Sequence, residues 1–523
     1  MKVTTVAADR ALNPAGRLAR TLVASDTLML ALILCVGSLL VLPQLGKQSL
    51  WLDEGLTVEP VLTAHNVGEV VTSVLAVDTQ PPASHLLFYA LQSVLPPTEL
   101  GLRLPSFVAI ELALVLLYVV FKRLWSSPTA LVVVGIAQLS PFLCFYAAEA
   151  RNYGLWLLVT SASWLLFAAW MRARDDARSR RVWWLSVAWG LVNGLGLWVH
   201  LFHAFVMVGE VACAAVVLLA DRKALRARRR YVVSAALAQG LAVIVFVPWL
   251  VVLALRVQEG TAGVSWTREL SAAHLAYYGF AALFGVSFGP TLRDLHVTRL
   301  AVLLAEHRVA LALAAVAMVA VAACYLVEVR DRLRDRDRRW ELLMLVVFPA
   351  ASLAPALAYA AAADFPLHPR HLLYVWPLLP VILGLAWARG GATRLAVVGV
   401  VGLQLIALSN ILFNADYAKD DQRSAIEFVD RRSQLPAYVL AEGFVGTYYA
   451  RRINGRDRKF VAFEPDTREV WLVDNREWEL FNQYTYKQLT EKLAELGFVY
   501  EGTYSQFRGI ALRHWINSRR SSQ

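Results

Sequence analysis

Apolar residues along this 523-residue chain gather into long blocks separated by short, arginine-dense connections. Eleven blocks have the length of about 17–25 residues that carries a helix across a hydrocarbon layer roughly 30 Å thick. They fall at 26–45, 103–121, 129–146, 152–171, 182–199, 201–220, 232–256, 304–328, 341–362, 372–388 and 393–413. A helix satisfies every backbone group where no water reaches it, so each block predicts a membrane helix. A shorter apolar stretch at 272–288 reads as re-entrant or interfacial. From residue 415 the pattern changes. Apolar runs shrink to 438–440, 460–463 and 470–473 and alternate with amphipathic stretches at 421–432 and 486–496. That predicts a small soluble α/β domain over 415–523, behind a helical transmembrane domain over 1–414. No repeat recurs at a period of roughly 20–50 residues, which excludes a solenoid.

Composition agrees: 58% of residues are hydrophobic and 17% are charged, against about 25% charged in an ordinary soluble domain. The net charge of +11 would suggest a nucleic-acid partner in a soluble protein. Here the excess sits in short loops, so it reads as orientation and excludes nucleic acid. With the N-terminus (Lys2, Arg10, Arg17, Arg20) in the cytoplasm, the arginine-dense loops at 122–123, 172–181, 222–230, 330–339 and 389–394 all fall inside. The 46–102 loop, the 257–303 loop and the C-terminal domain then lie outside an inner membrane. Block 26–45 is too long for a signal peptide core and lacks a cleavage site, so it reads as the first membrane helix. Cys35, Cys144, Cys213 and Cys324 lie within apolar blocks and read as core residues.

On this topology five polar clusters face one compartment. Asp53 and Glu54 follow Trp51 and Leu52 just beyond the first span. Partial desolvation should raise a carboxylate's proton affinity there, which is how a general base is built; the plain alternative is a solvated acidic pair. Asp78 precedes Pro81 and Pro82, and His85 and Tyr89 share a helix face, as capping or cavity residues. Glu149, Arg151 and Tyr153 sit in a tight connection, where Arg151 could fork a phosphate or close an ion pair. His200 and His203, at i and i+3, make a weak metal pair and a better substrate contact. Arg370, at the entry to the 372–388 block, is a second phosphate candidate or a snorkelling boundary residue.

No phosphate-binding loop precedes a helix, so no nucleotide site is expected. The spans hold few charges and the halves lack paired broken helices, which argues against a secondary transporter. An enzyme facing a nucleotide-poor compartment needs a donor delivered through the membrane, and a lipid-phosphate-linked sugar fits.

The runs Leu50-Trp51-Leu52-Asp53-Glu54, 78–82, Leu102-Arg103-Leu104-Pro105-Ser106, Ser140-Pro141-Phe142 with Tyr146, and Glu149-Ala150-Arg151-Asn152-Tyr153 form an ordered set. It continues through 198–202, 369–380 and Asp420-Asp421-Gln422-Arg423-Ser424-Ala425. Taken together it resembles the bacterial membrane mannosyltransferase-like proteins of the C-type glycosyltransferase (GT-C) superfamily, akin to glycosyltransferase family 39. The resemblance implies a GT-C-like fold, a polyprenyl-phosphate sugar donor and inversion at the anomeric carbon. It implies Asp53 as catalytic base and Glu54 as its support or an acceptor contact. Arg151 and Arg370, with Arg103 behind them, would meet the donor phosphate, and His85 and Glu149 would line the cavity. This chain departs from the pattern at Gln80, where relatives often carry His, and at His371, where many carry Tyr. The acceptor implied is an envelope glycan, lipid or protein. No cofactor is identified with certainty; the outer acidic groups could hold a divalent cation, though no ligand set is complete. The competing readings are a lipid or glycan transporter and a non-catalytic envelope-assembly partner.

Overall fold

Long apolar helices build most of the molecule. The computed structural model describes residues 14–77, 80–173, 180–220, 225–258, 271–433, 437–441, 445–446, 448–449, 452, 467–475 and 479–518. Helix α1 (Pro14–Lys47) leads into three short helices, α2 (Leu52–Thr63), α3 (Val67–Val77) and α4 (Ala83–Leu91). Then come α5 (Glu99–Leu124), α6 (Ser127–Gln138), α7 (Pro141–Ala147), α8 (Tyr153–Arg172), α9 (Arg181–Val199), α10 (His203–Ala220) and α11 (Leu225–Gln258). Helices α12 (Ala272–Phe284), α13 (Leu292–Val297) and α14 (Leu300–Glu306) precede α15 (Arg308–Arg334). A 3-10 turn, Arg336–Glu341, and a π-helical stretch, Leu343–Val347, run into α16 (Phe348–Ala362). Helices α17 (Leu378–Arg389) and α18 (Gly391–Phe413) complete the bundle. Among the described residues nine helices are long and apolar enough to cross a membrane, ten if α6 and α7 count as one span. The chain is a multi-pass membrane protein.

Two predicted spans are broken. The 129–146 block bends by 65° between α6 and α7. Ser140 caps α7, its hydroxyl accepting from the Leu143 amide, and Pro141 begins the helix without an N–H to bond backwards. The 372–388 block is not one spanning helix. Residues 373–377 are turns, Pro377 caps α17, and α17 has 12 residues. At about 1.5 Å per residue it is roughly 18 Å long, short of the roughly 30 Å layer. Among the described residues α6–α7 is one bent span and α17 a short helix; the two regions meet where α6 and α17 pack on each other, with Gly384 against Val133.

Close approach of α5 and α8 sets the site end of the bundle. A Cβ on Gly154 would stand 2.4 Å from the Ser106 carbonyl oxygen, so only glycine lets the two backbones meet there. The Ser106 hydroxyl donates to the Arg151 carbonyl at 2.9 Å, holding the α7–α8 connection to α5.

Beyond α18 lie α19 (Gln422–Arg432), β1 (Ala437–Ala441), β2 (Glu469–Asn475), α20 (Glu479–Glu495), β3 (Phe498–Phe507) and β4 (Ile510–Asn517). The sheet order is β1-β2-β4-β3. β1 pairs parallel to β2 (Ala437 opposite Glu469), and β4 is antiparallel to both neighbours. Of the three apolar runs expected in this region, 438–440 and 470–473 lie in strands, and 460–463 lies outside the described residues. One apolar cluster joins Leu50, Val58 and Val61 to Ile426, Val429, Trp471 and Ile510, so this sheet unit packs on the 48–63 segment. The β3–β4 hairpin turns at Gly509 (φ 71°), where a Cβ would also collide with the Asp420 carboxylate.

Candidate active site

The loop after α1 places two adjacent carboxylates in the first turn of α2, where the helix dipole favours negative charge. Successive helical positions diverge, so Asp53 and Glu54 enter different surroundings.

Glu54 turns inward and is fully buried. Arg103 grips it with Nε and Nη2, each at 2.7 Å. The Ala150 amide donates at 2.8 Å, the Trp51 amide at 3.2 Å and Lys419 Nζ at 3.3 Å. Burial opposes ionisation, but Arg103 and Lys419 outweigh it and hold the carboxyl at about 2. Arg103 also donates to the carbonyls of Leu45, Gln48 and Ser49, each at 2.8 Å. Its five N–H donors are thus committed within the protein, and none is left for a phosphate. Glu54 and Arg103 together fix the Leu45–Trp51 turn that presents Asp53.

Asp53 turns outward to a cavity of about 390 Å³ lined by Trp51, Phe142, Tyr146, Tyr277, His368 and Arg370, with Asp420 among its further walls. Its carboxylate accepts from Arg370 Nη1, an ion pair in which each side chain keeps about a fifth of its surface exposed (19% and 21%). Burial raises the carboxyl, but Arg370, Arg151 and His368 outweigh it and hold it below the usual aspartate value. The expected upward shift is therefore corrected: desolvation acts, and three neighbouring cations or proton-bearing rings overcome it.

The upward shift belongs to Glu149. Both of its oxygens lack a hydrogen-bond donor, and the nearest cation, Lys419 Nζ, stands 3.8 Å away. Burial pushes the carboxyl up, Lys419 offsets part of that, and the charges of Glu54 and Asp53 add to it, leaving it at about 7. Such a group binds its proton more tightly folded than unfolded. Its contribution to stability is full below the ordinary value of 4.5 and is lost as pH rises to about 7. Glu149→Gln, neutral throughout, should be more stable than wild type at about pH 8, by up to about 3 kcal/mol, with a raised Tm there, and should match wild type near pH 4. Thermal unfolding at the two pH values checks this; a pH-independent difference contradicts it.

Lys419 escaped the sequence reading. It donates to the Ala148 carbonyl at 2.9 Å and lies over the rings of Trp51 and Phe145. Burial lowers its pKa, against the pull of Glu54. Its place is set by the β3–β4 hairpin: Arg508 donates to the Lys419 carbonyl at 3.0 and 2.7 Å, and the Asp421 amide donates to the Arg508 carbonyl at 2.9 Å. Arg423 adds a bond to the Lys47 carbonyl at 2.9 Å and an ion pair with Glu99 at 2.9 Å. A lone lysine 365 positions from Glu54 carries no local signal of this role.

The other predicted residues spread around this centre. Arg151 is buried, 3.2 Å from the Thr57 hydroxyl and over the Tyr153 ring. Tyr153 packs edge-on to Tyr146. His85 is buried with Nε2 3.3 Å from the Leu56 carbonyl oxygen, beneath α2 and away from the cavity lining. His200 stacks on Trp156 at 4.0 Å, and its Nδ1 accepts the Phe202 amide at 3.1 Å. Burial with Arg151 nearby holds its pKa well below the usual value, so the ring is neutral. His203 turns instead to Asn193, 3.0 Å away, so the two histidines share no ligand position. Gln80 accepts from the Leu201 amide at 3.3 Å. Asp78 lies outside the described residues. Among the described residues no group of three or more His, Cys, Asp or Glu is placed to hold a metal ion.

A family model described as dolichyl-phosphate-mannose-protein mannosyltransferase matches residues 79–252, which include Arg103, Glu149 and Arg151. A search of curated protein sequences finds no match. Among solved structures, ArnT from Cupriavidus metallidurans in the apo state is similar with a TM-score of 0.54 at 12% identity, covering 94% of this chain and 98% of that one. The same protein bound to undecaprenyl phosphate gives a TM-score of 0.53 at 12% identity over the same shares. The Archaeoglobus fulgidus oligosaccharyltransferase gives 0.43 at 12% identity, covering 94% of this chain and 73% of that one.

Proposed function

We propose that this chain, which carries the GT-C fold, is an inverting glycosyltransferase. It would move a sugar from a polyprenyl-phosphate donor to a hydroxyl of an envelope glycan, lipid or protein. The observation that carries the reading is the Asp53–Arg370 pair at one wall of a largely apolar cavity. The pair supplies a carboxylate for a hydroxyl proton and a guanidinium for a phosphate, and apolar walls suit an isoprenoid chain. ArnT's structure with undecaprenyl phosphate supports such a donor on this fold.

In this mechanism donor binding draws the Arg370 guanidinium from Asp53 to the phosphate. Asp53, its main cation withdrawn, gains proton affinity where a base needs it. The acceptor oxygen attacks the anomeric carbon opposite the phosphate, its proton passes to Asp53, and the carbon–oxygen bond to phosphate breaks. Arg370 takes up the charge on the departing lipid phosphate. Glu54, Arg103 and Lys419 are positioning residues, and Arg151 supports the field around Asp53. The arginine-dense loops at the far ends of α5 and α8 support an extracytoplasmic site in an inner membrane. On that orientation residues 1–414 are the catalytic membrane domain and 415–523 an extracytoplasmic domain that braces it.

Arg370→Ala should weaken binding of a polyprenyl phosphate by about 10- to 150-fold, the worth of a charge-assisted hydrogen bond. Titration of the purified protein with undecaprenyl phosphate measures it, and unchanged affinity removes Arg370 from the phosphate. One second reading, a lipid-sugar transporter, would draw on the bent span at α6–α7. Proteoliposomes loaded with polyprenyl-phosphate sugars separate the two: sugar appearing on an acceptor supports the transferase, and labelled donor crossing the bilayer intact without transfer supports the transporter.

A further inference from the structure

A second cavity, of about 280 Å³, opens at the other end of the bundle. Helix α5 carries Arg103 near its start and Arg123 near its end, and α8 runs from Tyr153 to Arg172. About twenty residues at roughly 1.5 Å each put Arg123 and Arg172 about 30 Å from the Asp53 end. Both arginines line this cavity, along with Trp164, Phe167, Met171, Met344 and Phe348.

Three features mark it as a built site. First, its cations meet no carboxylate among the described residues. Arg172 Nη2 donates to the Arg123 carbonyl, which gathers two exposed guanidiniums at one corner. Neither has a carboxylate partner among the described residues. Of the described acids, Asp26 is engaged with Lys122, and Glu341 with Arg332 and Arg338. Glu210 also lines the cavity, but its oxygens already accept from Ser163, Trp189 and Asn193. Second, Trp164 is buried to 2% exposure, and its indole N–H finds no acceptor. A buried donor left unpaired is uncommon and calls for a partner. Third, Leu343 and Met344 belong to the π-helical stretch, a distortion that recurs at functional sites.

We propose that this cavity binds one anionic glycerophospholipid of the surrounding leaflet. Its phosphate sits between Arg123 and Arg172, its ester region reaches the indole N–H of Trp164, and an acyl chain lies along Phe167, Met171 and Phe348. Arginine side chains on a helix lean back toward its N-terminus, which brings the guanidinium of Arg172 toward Trp164. The volume is near the lower bound of ligand pockets, about 300 Å³, and suits the glycerol and upper chain of a lipid. Basic pockets between membrane helices favour anionic headgroups by charge complementarity. This site is separate from the donor cavity and shares no lining residue with it.

The test is native mass spectrometry of the full chain, delipidated in detergent and titrated with phosphatidylglycerol or phosphatidylcholine of the same acyl chains. Wild type should retain one phosphatidylglycerol roughly thirty-fold more tightly than phosphatidylcholine, the preference expected of two arginines. Arg123→Gln with Arg172→Gln should abolish that preference, and each single variant should remove part of it. Trp164→Phe should weaken both lipids a few-fold, whereas Arg229→Gln, elsewhere among the basic loops, should change nothing. Equal binding of the two lipids by wild type overturns the proposal without recourse to any variant. So does an undiminished preference in the double variant, or displacement of phosphatidylglycerol by equimolar undecaprenyl phosphate.

Discussion

Replacing Arg103 with alanine is expected to destabilise the protein by about 3–5 kcal/mol, the consequence of leaving a buried charge without its partner. Glu54 would keep its charge at zero exposure with Lys419 as its remaining cation among the described residues. The carbonyls of Leu45, Gln48 and Ser49 would lose their donors at the same time. Glu54→Gln should be similarly harmful, because the guanidinium is then the stranded charge. A double variant, Arg103→Met with Glu54→Leu, should recover part of the loss, since an apolar pair replaces an ionic pair at little net cost. Recovery stays incomplete because the Ala150 amide loses its acceptor. Thermal unfolding in detergent reads all three variants. An unchanged Tm for Arg103→Ala would mean that this pair does not hold the Leu45–Trp51 turn.

The second large effect is on chemistry. Asp53→Asn keeps the shape of the side chain and its reach to the cavity but cannot accept a proton. Loss of a general base lowers rates by about 10²–10⁴. The substitution breaks an ion pair that is partly exposed at both ends, so the stability change should be small beside that of Arg103→Ala. Reduced activity with an intact fold separates the two neighbouring carboxylates: Asp53 acts on substrate, and Glu54 holds the structure.

Much of the architecture is legible in the sequence because membrane helices announce themselves by length and apolarity. Breaks within an apolar run are harder to see. The 129–146 block is uncharged throughout, and Ser140-Pro141 bears a family resemblance without announcing the cap that bends the span by 65°. In the 372–388 block Pro377 likewise starts a helix that hydropathy alone places earlier. The α/β character of the C-terminal region follows from its alternating runs, whereas the β1-β2-β4-β3 order depends on pairings between distant segments.

Within the site, Asp53 and Arg370 each stand out as charged residues beside apolar blocks. Their contact across 317 positions is a product of tertiary packing that no local pattern encodes. The family resemblance implies Arg103 as a weaker phosphate contact; its geometry commits it to three carbonyls and a carboxylate. Electrostatic sign was equally illegible. Burial alone predicts a raised carboxyl at Asp53, and the raised group is Glu149, since Arg370 faces the first and no hydrogen-bond donor reaches the second.

The most direct test is transfer from a panel of radiolabelled polyprenyl-phosphate sugars to cell-envelope acceptors, with purified wild type and Asp53→Asn run side by side. Wild type should transfer a sugar, and Asp53→Asn should bind the same donor but transfer it about 10²–10⁴ times more slowly. Transfer at an equal rate by the variant, or consumption of no donor by wild type, would contradict the account.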